Sequence, residues 1–317
     1  MPEWLGQIAP YLASPLRAAW LAAGENLHDL RELRLMLGQP VLLRLAAGEY
    51  LLSPQGALLE ENAATQALCF DQELCRTTQD LLTQGSLYAL AEELRRGWLT
   101  LPGGHRVGLC GHAVLDAGRI ATQRELSSFN IRIARAVPGC AAPLLPYLLP
   151  NQSSGGRLRS ALLISPPGGG KTTLLRDIAA QLSRLRYRVG IADERGEIAA
   201  MQQGLPQLPL GLRCDVLSAA PKAEAMQLLL RSMSPQVLLC DELGTPADAE
   251  AVADAARCGV AVVATAHGGD VAELRRRPVL RELLAAQAFG RLVLLSAAQP
   301  GAIAAVYDAA GEAVSLC

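Results

Sequence analysis

Hydrophobic and polar positions follow different patterns in the two halves of the chain. In the second half, short continuous apolar runs alternate with longer segments whose apolar residues recur at helical spacing. Continuous runs of this kind are typical of strands buried on both faces of a parallel sheet. The predicted strands are 161–164, 188–192, 236–240, 259–264 and 290–295, the predicted helices are 170–185, 221–233, 246–257 and 270–288, and a closing hairpin joins 303–307 to 313–316. This alternation predicts an α/β domain with a parallel sheet.

The first half mixes helical and strand-like segments without a regular alternation. The predicted helices lie near 11–22, 71–83 and 86–96, and the predicted strands near 30–37, 41–45 and 130–134. A proline-glycine turn at 102–104 separates two short runs, 98–101 and 105–109, and predicts a hairpin. A polar, Gly- and Ser-rich stretch then precedes the strongly apolar strand of the second half. We therefore expect a smaller α+β domain over 1–150, a linker over 151–156 and an α/β domain over 157–317.

Composition narrows the range of partners. The chain has 317 residues, of which 50% are hydrophobic and 19% are charged, so it is long and apolar enough for two folded domains. Residues 1–156 carry 12 arginines against 14 acids, and 157–317 carry 17 basic residues against 16 acids. Neither part has the positive excess that sequence-independent nucleic-acid binding requires, so we expect no nucleic-acid partner.

Cysteine and histidine usage gives no sign of a metal centre. The 8 cysteines form no C-x-x-C pair, and the 4 histidines lack the spacing of zinc ligands. We therefore expect reduced thiols and no zinc. Neither a charged start followed by an apolar stretch nor an apolar run long enough to cross a bilayer is evident, and this predicts a cytoplasmic protein.

Lysine is rare in this chain. Only Lys171 and Lys222 are lysines among the 29 basic residues, and a coding bias toward arginine accounts for most of this imbalance. The two lysines are therefore informative, because they mark positions where a compact ammonium suits the site better than a planar guanidinium.

The strongest motif lies between predicted strand 161–164 and predicted helix 170–185. It reads Ser165, Pro166, Pro167, Gly168, Gly169, Gly170, Lys171, Thr172 and Thr173. Glycines let several backbone N–H groups converge on a phosphate chain, and a helix N-terminus favours anions. Lys171 would reach the β- and γ-phosphates, and Thr172 would offer its hydroxyl to Mg²⁺. The motif therefore predicts a nucleotide-binding phosphate loop, with Ser165 where the first glycine usually stands.

A second motif ends the predicted strand 236–240. Asp241 and Glu242 follow it directly, at the edge of the sheet where ligands of open α/β sheets bind. Asp241 would hold Mg²⁺, directly or through a water, and Glu242 would polarise the water that attacks the γ-phosphate as the catalytic residue. An aspartate that merely caps the next helix is the alternative. A glutamate directly after the metal aspartate favours hydrolysis over a switch-type GTPase.

Two further strands end in polar residues at the same edge. His267 follows the strand 259–264, and Glu194 lies in the charged cluster 193–197 after the strand 188–192. Either side chain could act as a sensor of the γ-phosphate. A structural histidine and a solvated loop are the alternatives.

Together these residues resemble the stage III sporulation protein AA family over about 25–296 of the chain. The segments that carry the resemblance are 164–168, 171–177, 193–195, 197–199, 213, 215–217, 221–224, 231–235 and 241–242, together with 103–109 and 130–135 in the first half. The family tolerates Ser165. It continues Ile-Gly-Arg after the acidic pair, whereas this chain has Leu243, Gly244 and Thr245, so no arginine acts there.

The resemblance implies an ATP- and Mg²⁺-dependent ATPase with a RecA-like domain of the secretion-ATPase type. Such proteins are homo-oligomers, usually hexameric rings, that power or gate an inner-membrane secretion channel, here similar to the channel between mother cell and forespore. A channel partner would hold the cytoplasmic ring at the membrane.

Related secretion ATPases also place arginines between their two domains, so we expect an arginine of the first half to act on the γ-phosphate in trans or across the domain cleft. The candidates are Arg132 first, then Arg106, and also Arg135. In the segment 130–135 a period of two places Arg132 on the polar face and Arg135 at the end of the apolar face. Exposed arginines without such a role are the alternative.

Two other functions are compatible with a phosphate loop. A small-molecule kinase would need an arginine-rich lid, and after His267 the chain offers only Arg275, Arg276 and Arg277. A nucleotide-dependent binding module without turnover is the other alternative. The intact set of Lys171, Thr172, Asp241 and Glu242 argues against that module.

Overall fold

The computed structural model describes residues 3–85, 91–150 and 156–315. The chain divides into two compact units, Met1–Ala134 and Arg135–Cys317. The division comes earlier than the predicted boundary at residue 150, because Ala141, Leu144 and Leu148 are buried in the core of the second unit. Of the predicted linker 151–156, only Gly156 lies within the described residues.

The first unit combines short helices with an antiparallel sheet. Its helices are α1 (Glu3–Ile8), α2 (Ser14–Ala23), α3 (Gln72–Thr83) and α4 (Ala91–Arg96). Its strands are β1 (Glu32–Met36), β2 (Gln39–Pro40), β3 (Leu42–Arg44), β4 (Glu49–Leu52), β5 (Leu58–Leu59), β6 (Cys69–Phe70), β7 (Trp98–Thr100), β8 (Arg106–Asp116) and β9 (Arg119–Arg132). The sheet has the order β5-β4-β3-β1-β9-β8-β7, and β2 pairs with β6. The predicted helix 86–96 corresponds to α4, and 86–90 lie outside the described residues.

A long hairpin of β8 and β9 extends the sheet of the first unit. The two strands pair from Arg106 opposite Arg132 to Asp116 opposite Arg119, and Ala117 and Gly118 form the turn with φ of 46° and 78°. The predictions contained only the start of β8 and the end of β9. The outer part is exposed on both faces, so it lacks the alternation of apolar and polar residues by which strands are found.

The second unit has a mostly parallel sheet. Its helices are α5 (Leu145–Leu148), α6 (Lys171–Arg184), α7 (Lys222–Ser232), α8 (Pro246–Arg257), α9 (Val271–Leu274) and α10 (Pro278–Ala285). Its strands are β10 (Ala161–Ser165), β11 (Val189–Asp193), β12 (Met201–Gln202), β13 (Leu205–Pro206), β14 (Cys214–Ser218), β15 (Val237–Glu242), β16 (Ala261–His267), β17 (Arg291–Leu295) and β18 (Ile303–Tyr307). The sheet has the order β14-β11-β15-β16-β10-β17-β18, in which only β18 is antiparallel to its neighbour, and β12 pairs with β13.

Three predictions for the second unit need correction. The predicted helix 270–288 is two helices, α9 and α10, because Pro278 has no N–H group and begins a new helix. Strand β14 was not predicted, since its residues are only half-buried and include a charged one. The predicted closing hairpin is shorter than expected within the described residues, which end at 315: Tyr307 and Ala313 form an antiparallel bridge, Val314 N–H donates to the carbonyl of Val306, and β18 also pairs with β17.

The order of the central strands defines one edge of the sheet. Strands β11, β15, β16 and β10 are consecutive neighbours and run parallel, so their carboxyl ends meet there. These ends carry Asp193, Glu242, His267 and Ser165. Within the described residues, no helix is long and apolar enough to cross a bilayer.

Candidate active site

The phosphate-loop motif forms a tight turn between a buried strand and a helix. Strand β10 is buried throughout, and α6 begins at Lys171. Gly168 and Gly170 have φ of 77° and 84°, in the left-handed region. A Cβ on Gly169 would lie 2.2 Å from Ser165 Oγ, and one on Gly170 would lie 2.6 Å from Gly301 N. The loop conformation therefore requires its glycines, and the α6 N-terminus lacks a capping side chain.

The ammonium of Lys171 is folded back onto this loop. Its Nζ donates to the carbonyl oxygens of Ser165 and Pro166, at 2.8 and 3.1 Å. Burial lowers the pKa of Lys171, and the nearby charge of Glu242 acts in the opposite direction. The ammonium thus lies at the loop, on carbonyl contacts that it can exchange for an anion.

His267 links this lysine to Glu242. Lys171 Nζ lies 2.9 Å from His267 Nδ1, and His267 Nε2 lies 3.1 Å from Glu242 Oε2. A charged Lys171 donates to Nδ1, which leaves the ring proton on Nε2, facing the carboxylate. Three side chains predicted from three separate segments therefore form one continuous chain of contacts.

Asp241 is a buried carboxylate at the end of β15. It is 8% exposed, and its Oδ1 lies 3.2 Å from the ammonium of Lys222 but accepts no hydrogen bond from a backbone N–H group of the described residues. Burial raises the pKa of Asp241 to about 6, although the ammonium of Lys222 pulls it down.

The buried carboxylate of Asp241 and the hydroxyl of Thr172, at the start of α6, are oxygen ligands of the kind that Mg²⁺ prefers, so the residue types fit this ion. Within the described residues, no three His, Cys, Asp or Glu side chains are placed to hold a metal ion by themselves. Mg²⁺ would therefore need oxygen ligands beyond the acidic side chains, such as a hydroxyl or phosphates.

Lys222, the other lysine of the chain, lies beside Asp241 at the start of α7. Its Nζ lies 3.2 Å from Asp241 Oδ1 and 3.2 Å from Glu194 Oε2, and it donates to the carbonyl of Glu242. Burial pulls the pKa of Lys222 down, but the carboxylates of Asp241 and Asp248 outweigh it and leave that pKa raised. The sequence marked Lys222 by the rarity of lysine and by its place in the segment 221–224 of the family resemblance, but gave it no role in the site.

Asp193 organises the turn that presents Glu194. Its carboxylate accepts hydrogen bonds from the backbone N–H groups of Glu197, Ile198 and Ala199, at 2.9, 3.1 and 2.9 Å. Arg176 of α6 donates to the carbonyls of Ile198 and Glu197, both at 2.6 Å. The turn is therefore tied to the helix that follows the phosphate loop, while the side chain of Glu194 stays 42% exposed.

The three candidate arginines are distributed over both units. In the first unit, the guanidinium of Arg106 lies 4.1 Å from the ring centre of Trp98, and Arg132 Nε lies 3.9 Å from Glu32 Oε1. In the second unit, the carbonyl of Arg135 accepts a hydrogen bond from Arg176. A role for any of them in phosphate chemistry stays a prediction.

The chain is similar to known proteins over most of its length. The family model described as sporulation stage III, protein AA, matches residues 4–314. Stage III sporulation protein AA of Bacillus subtilis (strain 168) is 44% identical over 240 residues, which cover 74% of this chain and 76% of that protein.

Two solved structures share the fold. The Legionella pneumophila ATPase DotB is 17% identical with a TM-score of 0.51, over 90% of this chain and 77% of that one. The pilus retraction motor PilT, solved with bound ADP, is 14% identical with a TM-score of 0.51, over 84% of this chain and 74% of that one. The fold is that of secretion-type P-loop ATPases.

Proposed function

The chain belongs to the stage III sporulation protein AA family, and from this membership and the geometry of its site we propose that it is an ATPase that drives or gates a secretion channel. The observation that carries the proposal is the contact chain from Lys171 through His267 to Glu242. These contacts connect the lysine of a phosphate loop to an acid that is suited to activate water. A protein that only binds nucleotide does not need such an acid.

Nucleotide binding begins at the phosphate loop. The backbone N–H groups of 168–173 surround the β- and γ-phosphates, and the N-terminus of α6 adds a favourable dipole. Lys171 exchanges its contacts with the carbonyls of Ser165 and Pro166 for contacts with phosphate oxygens. These contacts are charge-assisted and therefore stronger than those that they replace.

Thr172 and Asp241 would hold Mg²⁺ together with the phosphates. When bound, the ion neutralises negative charge on the phosphate oxygens during hydrolysis. Asp241 is suited to this role because its buried Oδ1 has no backbone N–H donor among the described residues and shares the ammonium of Lys222 with Glu194 and Asp248, so that a second cation is favourable there.

Glu242 accepts a proton from the water that attacks the γ-phosphate. His267 orients its carboxylate through the contact of Nε2 with Oε2. When Lys171 turns toward a phosphate, His267 Nδ1 loses that lysine as a donor. His267 thus senses whether the loop is filled, and Glu194, held by Lys222, is a second candidate sensor beside it.

The active assembly is a homo-oligomeric ring, in which an arginine of the first unit reaches the γ-phosphate of a neighbouring subunit. Family membership supports this assembly, and so does a fold shared with proteins named as an ATPase and a retraction motor. The ring is cytoplasmic and is held at the inner membrane by channel proteins.

The test is steady-state phosphate release from Mg²⁺·ATP without any added acceptor. We expect turnover by the wild-type protein, and Glu242→Gln should reduce it by about 10²-fold or more while ADP binding stays nearly normal. Release of phosphate without an acceptor would exclude a small-molecule kinase, and loss of turnover in the variant would exclude a contaminating ATPase. Equal rates for the two proteins would instead move the catalytic role to another acid, first Glu194.

A further inference from the structure

The ammonium of Lys222 is enclosed by acidic groups at the candidate magnesium site. Lys222 is 7% exposed, and its Nζ lies 3.2 Å from Asp241 Oδ1, 3.2 Å from Glu194 Oε2 and 4.0 Å from Asp248 Oδ2. Its partners come from three elements, namely β15, the turn after β11, and α8. The buried ammonium therefore contributes a positive charge to a cluster that consists of Lys222 and these three carboxylates.

The carboxylates around Lys222 differ in the hydrogen bonds that they accept from groups other than this lysine. Asp248 Oδ2 already accepts hydrogen bonds from the backbone N–H groups of Gly244 and Thr245, at 3.0 and 2.9 Å. Asp241 is also buried, at 8% exposed, but its Oδ1 accepts no backbone hydrogen bond from the described residues and has the ammonium of Lys222 at 3.2 Å. Asp241 therefore depends on a cation for its partner, whereas Asp248 has backbone donors.

The charges of the cluster do not cancel. Asp241, Glu194 and Asp248 carry three negative charges and Lys222 carries one positive charge, which leaves a net charge of −2. One divalent cation balances this remainder. Without the ammonium the remainder would be −3, which would attract a free divalent cation more strongly and repel the phosphates of a nucleotide more strongly.

We propose that Lys222 is a positioning residue that acts as the fixed counter-ion of Asp241, weakening the binding of a bare divalent cation and strengthening the binding of an anionic nucleotide. As a result, the site should bind the divalent cation together with a nucleotide in preference to the cation alone. This inference rests on the proposed nucleotide-binding function and extends it to a residue outside the phosphate loop and the acidic pair. The compact ammonium suits this enclosed position better than an arginine would.

A purely structural ion pair makes a different prediction. Loss of such a pair would loosen the end of β15, and the affinities for cation and nucleotide would fall together. A counter-ion must shift the two affinities in opposite directions, because its charge acts with opposite sign on ligands of opposite charge. The signs of the two shifts therefore separate the two roles.

The experiment measures two ligands separately on the full chain with Lys222→Met. Mn²⁺ alone is titrated by electron paramagnetic resonance without nucleotide, and ADP alone is titrated by calorimetry in EDTA. We expect Mn²⁺ to bind more tightly and ADP more weakly than in the wild type, each by about threefold or more. Lys222→Arg keeps the charge, so whatever its larger guanidinium costs in this enclosed position should not shift the two affinities in opposite directions.

Two further variants make the test independent of how well Lys222→Met folds. Glu194→Gln removes a negative charge from a half-exposed position and should shift both affinities the opposite way, with weaker Mn²⁺ and tighter ADP. Lys171→Met removes the other lysine, which contacts Ser165, Pro166 and His267, and should weaken ADP while tightening Mn²⁺ less than Lys222→Met does.

Shifts of the same sign, or unchanged affinities in both Lys222→Met and Glu194→Gln, would overturn the proposal. If the wild-type protein binds ADP normally, that outcome contradicts the counter-ion role alone. If the wild-type protein binds no ADP at all, the proposed ATPase function is wrong and the inference falls with it.

Discussion

Replacing Asp241 with asparagine is expected to stabilise the nucleotide-free protein while it abolishes Mg²⁺-dependent hydrolysis. Burial raises the pKa of Asp241 to about 6, against the ammonium of Lys222, and the carboxylates of Asp193 and Glu194 raise it further. The ionised carboxylate is therefore less favourable in the folded chain than in the unfolded chain. Asparagine has nearly the same shape and no charge.

The size of the effect follows from this pKa. A difference between 3.8 and about 6 corresponds to about 3 kcal/mol, at about 1.4 kcal/mol for each pKa unit. The attraction of the Lys222 ammonium is already included in this pKa, but asparagine replaces one carboxylate oxygen with an NH₂ group that cannot accept from Lys222, and this reduces the gain. We therefore expect Asp241→Asn to raise the free energy of unfolding by about 1 to 2 kcal/mol at neutral pH.

The pH dependence has a defined sign. Because the pKa of Asp241 is higher in the folded state, the folded state binds more protons than the unfolded state between pH 3.8 and about 6. The contribution of Asp241 to wild-type stability therefore falls as the pH rises through this window and is constant above it. The asparagine variant lacks this contribution, so its advantage should grow from about pH 4 to pH 6 and then level off.

Urea unfolding without nucleotide, followed by circular dichroism at about pH 5 and pH 7.5, measures both effects. Asp116→Asn, on the exposed outer part of β8, is the matched control and should change stability little at either pH. An Asp241→Asn variant that is less stable than the wild type at pH 7.5 would refute the reasoning. So would an advantage as large at pH 5 as at pH 7.5.

Three further predictions concern the loop and the assembly. Lys171→Ala removes charge-assisted phosphate contacts and should weaken ADP binding about tenfold or more in calorimetry, and unchanged affinity would contradict the role of the loop. Gly170→Ala should be less stable than Gly204→Ala, because both have φ near 80° but only Gly170 would meet a backbone atom, at 2.6 Å, and equal melting temperatures would exclude the clash. In mixed rings, Lys171→Ala subunits should partly restore the phosphate release lost in Arg132→Ala, and full activity of Arg132→Ala alone would exclude that residue as the trans-acting arginine.

The sequence predicted the elements whose burial is uniform. Strands β10, β11, β15 and β16 are buried almost throughout, so their apolar runs are unbroken and their ends can be read within three residues. Strand β14 is half-buried along its length, and the outer hairpin of β8 and β9 is exposed on both faces, so neither has a strong pattern. Apolar runs and alternations arise where a strand packs against a core. They do not identify a strand that is held mainly by backbone hydrogen bonds to its neighbour.

The boundary between the units could not be read from local composition. The polar stretch 151–156 resembles a linker, but the division at Ala134 and Arg135 is set by where apolar side chains pack. Residues 141, 144 and 148 are spaced to present one apolar face, and that face is covered by residues that follow much later in the chain. Which segments pack together depends on the tertiary structure, and the composition of a polar stretch does not indicate it.

The candidate site shows the same limit at the level of single contacts. The alternation of strands and helices requires that parallel strands end at one edge, and this much brings Ser165, Glu242 and His267 to the same side of the sheet. It does not specify the order of the strands. Only because β16 lies between β15 and β10 can His267 reach both Glu242 and Lys171.

The same reasoning explains why Lys222 was marked by its rarity but not placed. It begins α7, directly after the edge strand β14, and the order β14-β11-β15 separates that strand from Asp241 by one whole strand. Its ammonium reaches Asp241 because a lysine stem can extend over the carboxyl end of β11, where Glu194 follows and supplies the second carboxylate. A short side chain at this position would leave the buried oxygen of Asp241 with no cation nearby in the nucleotide-free state. The strand order thus requires a long cationic side chain at residue 222, and the crowding of the cluster favours the ammonium of lysine.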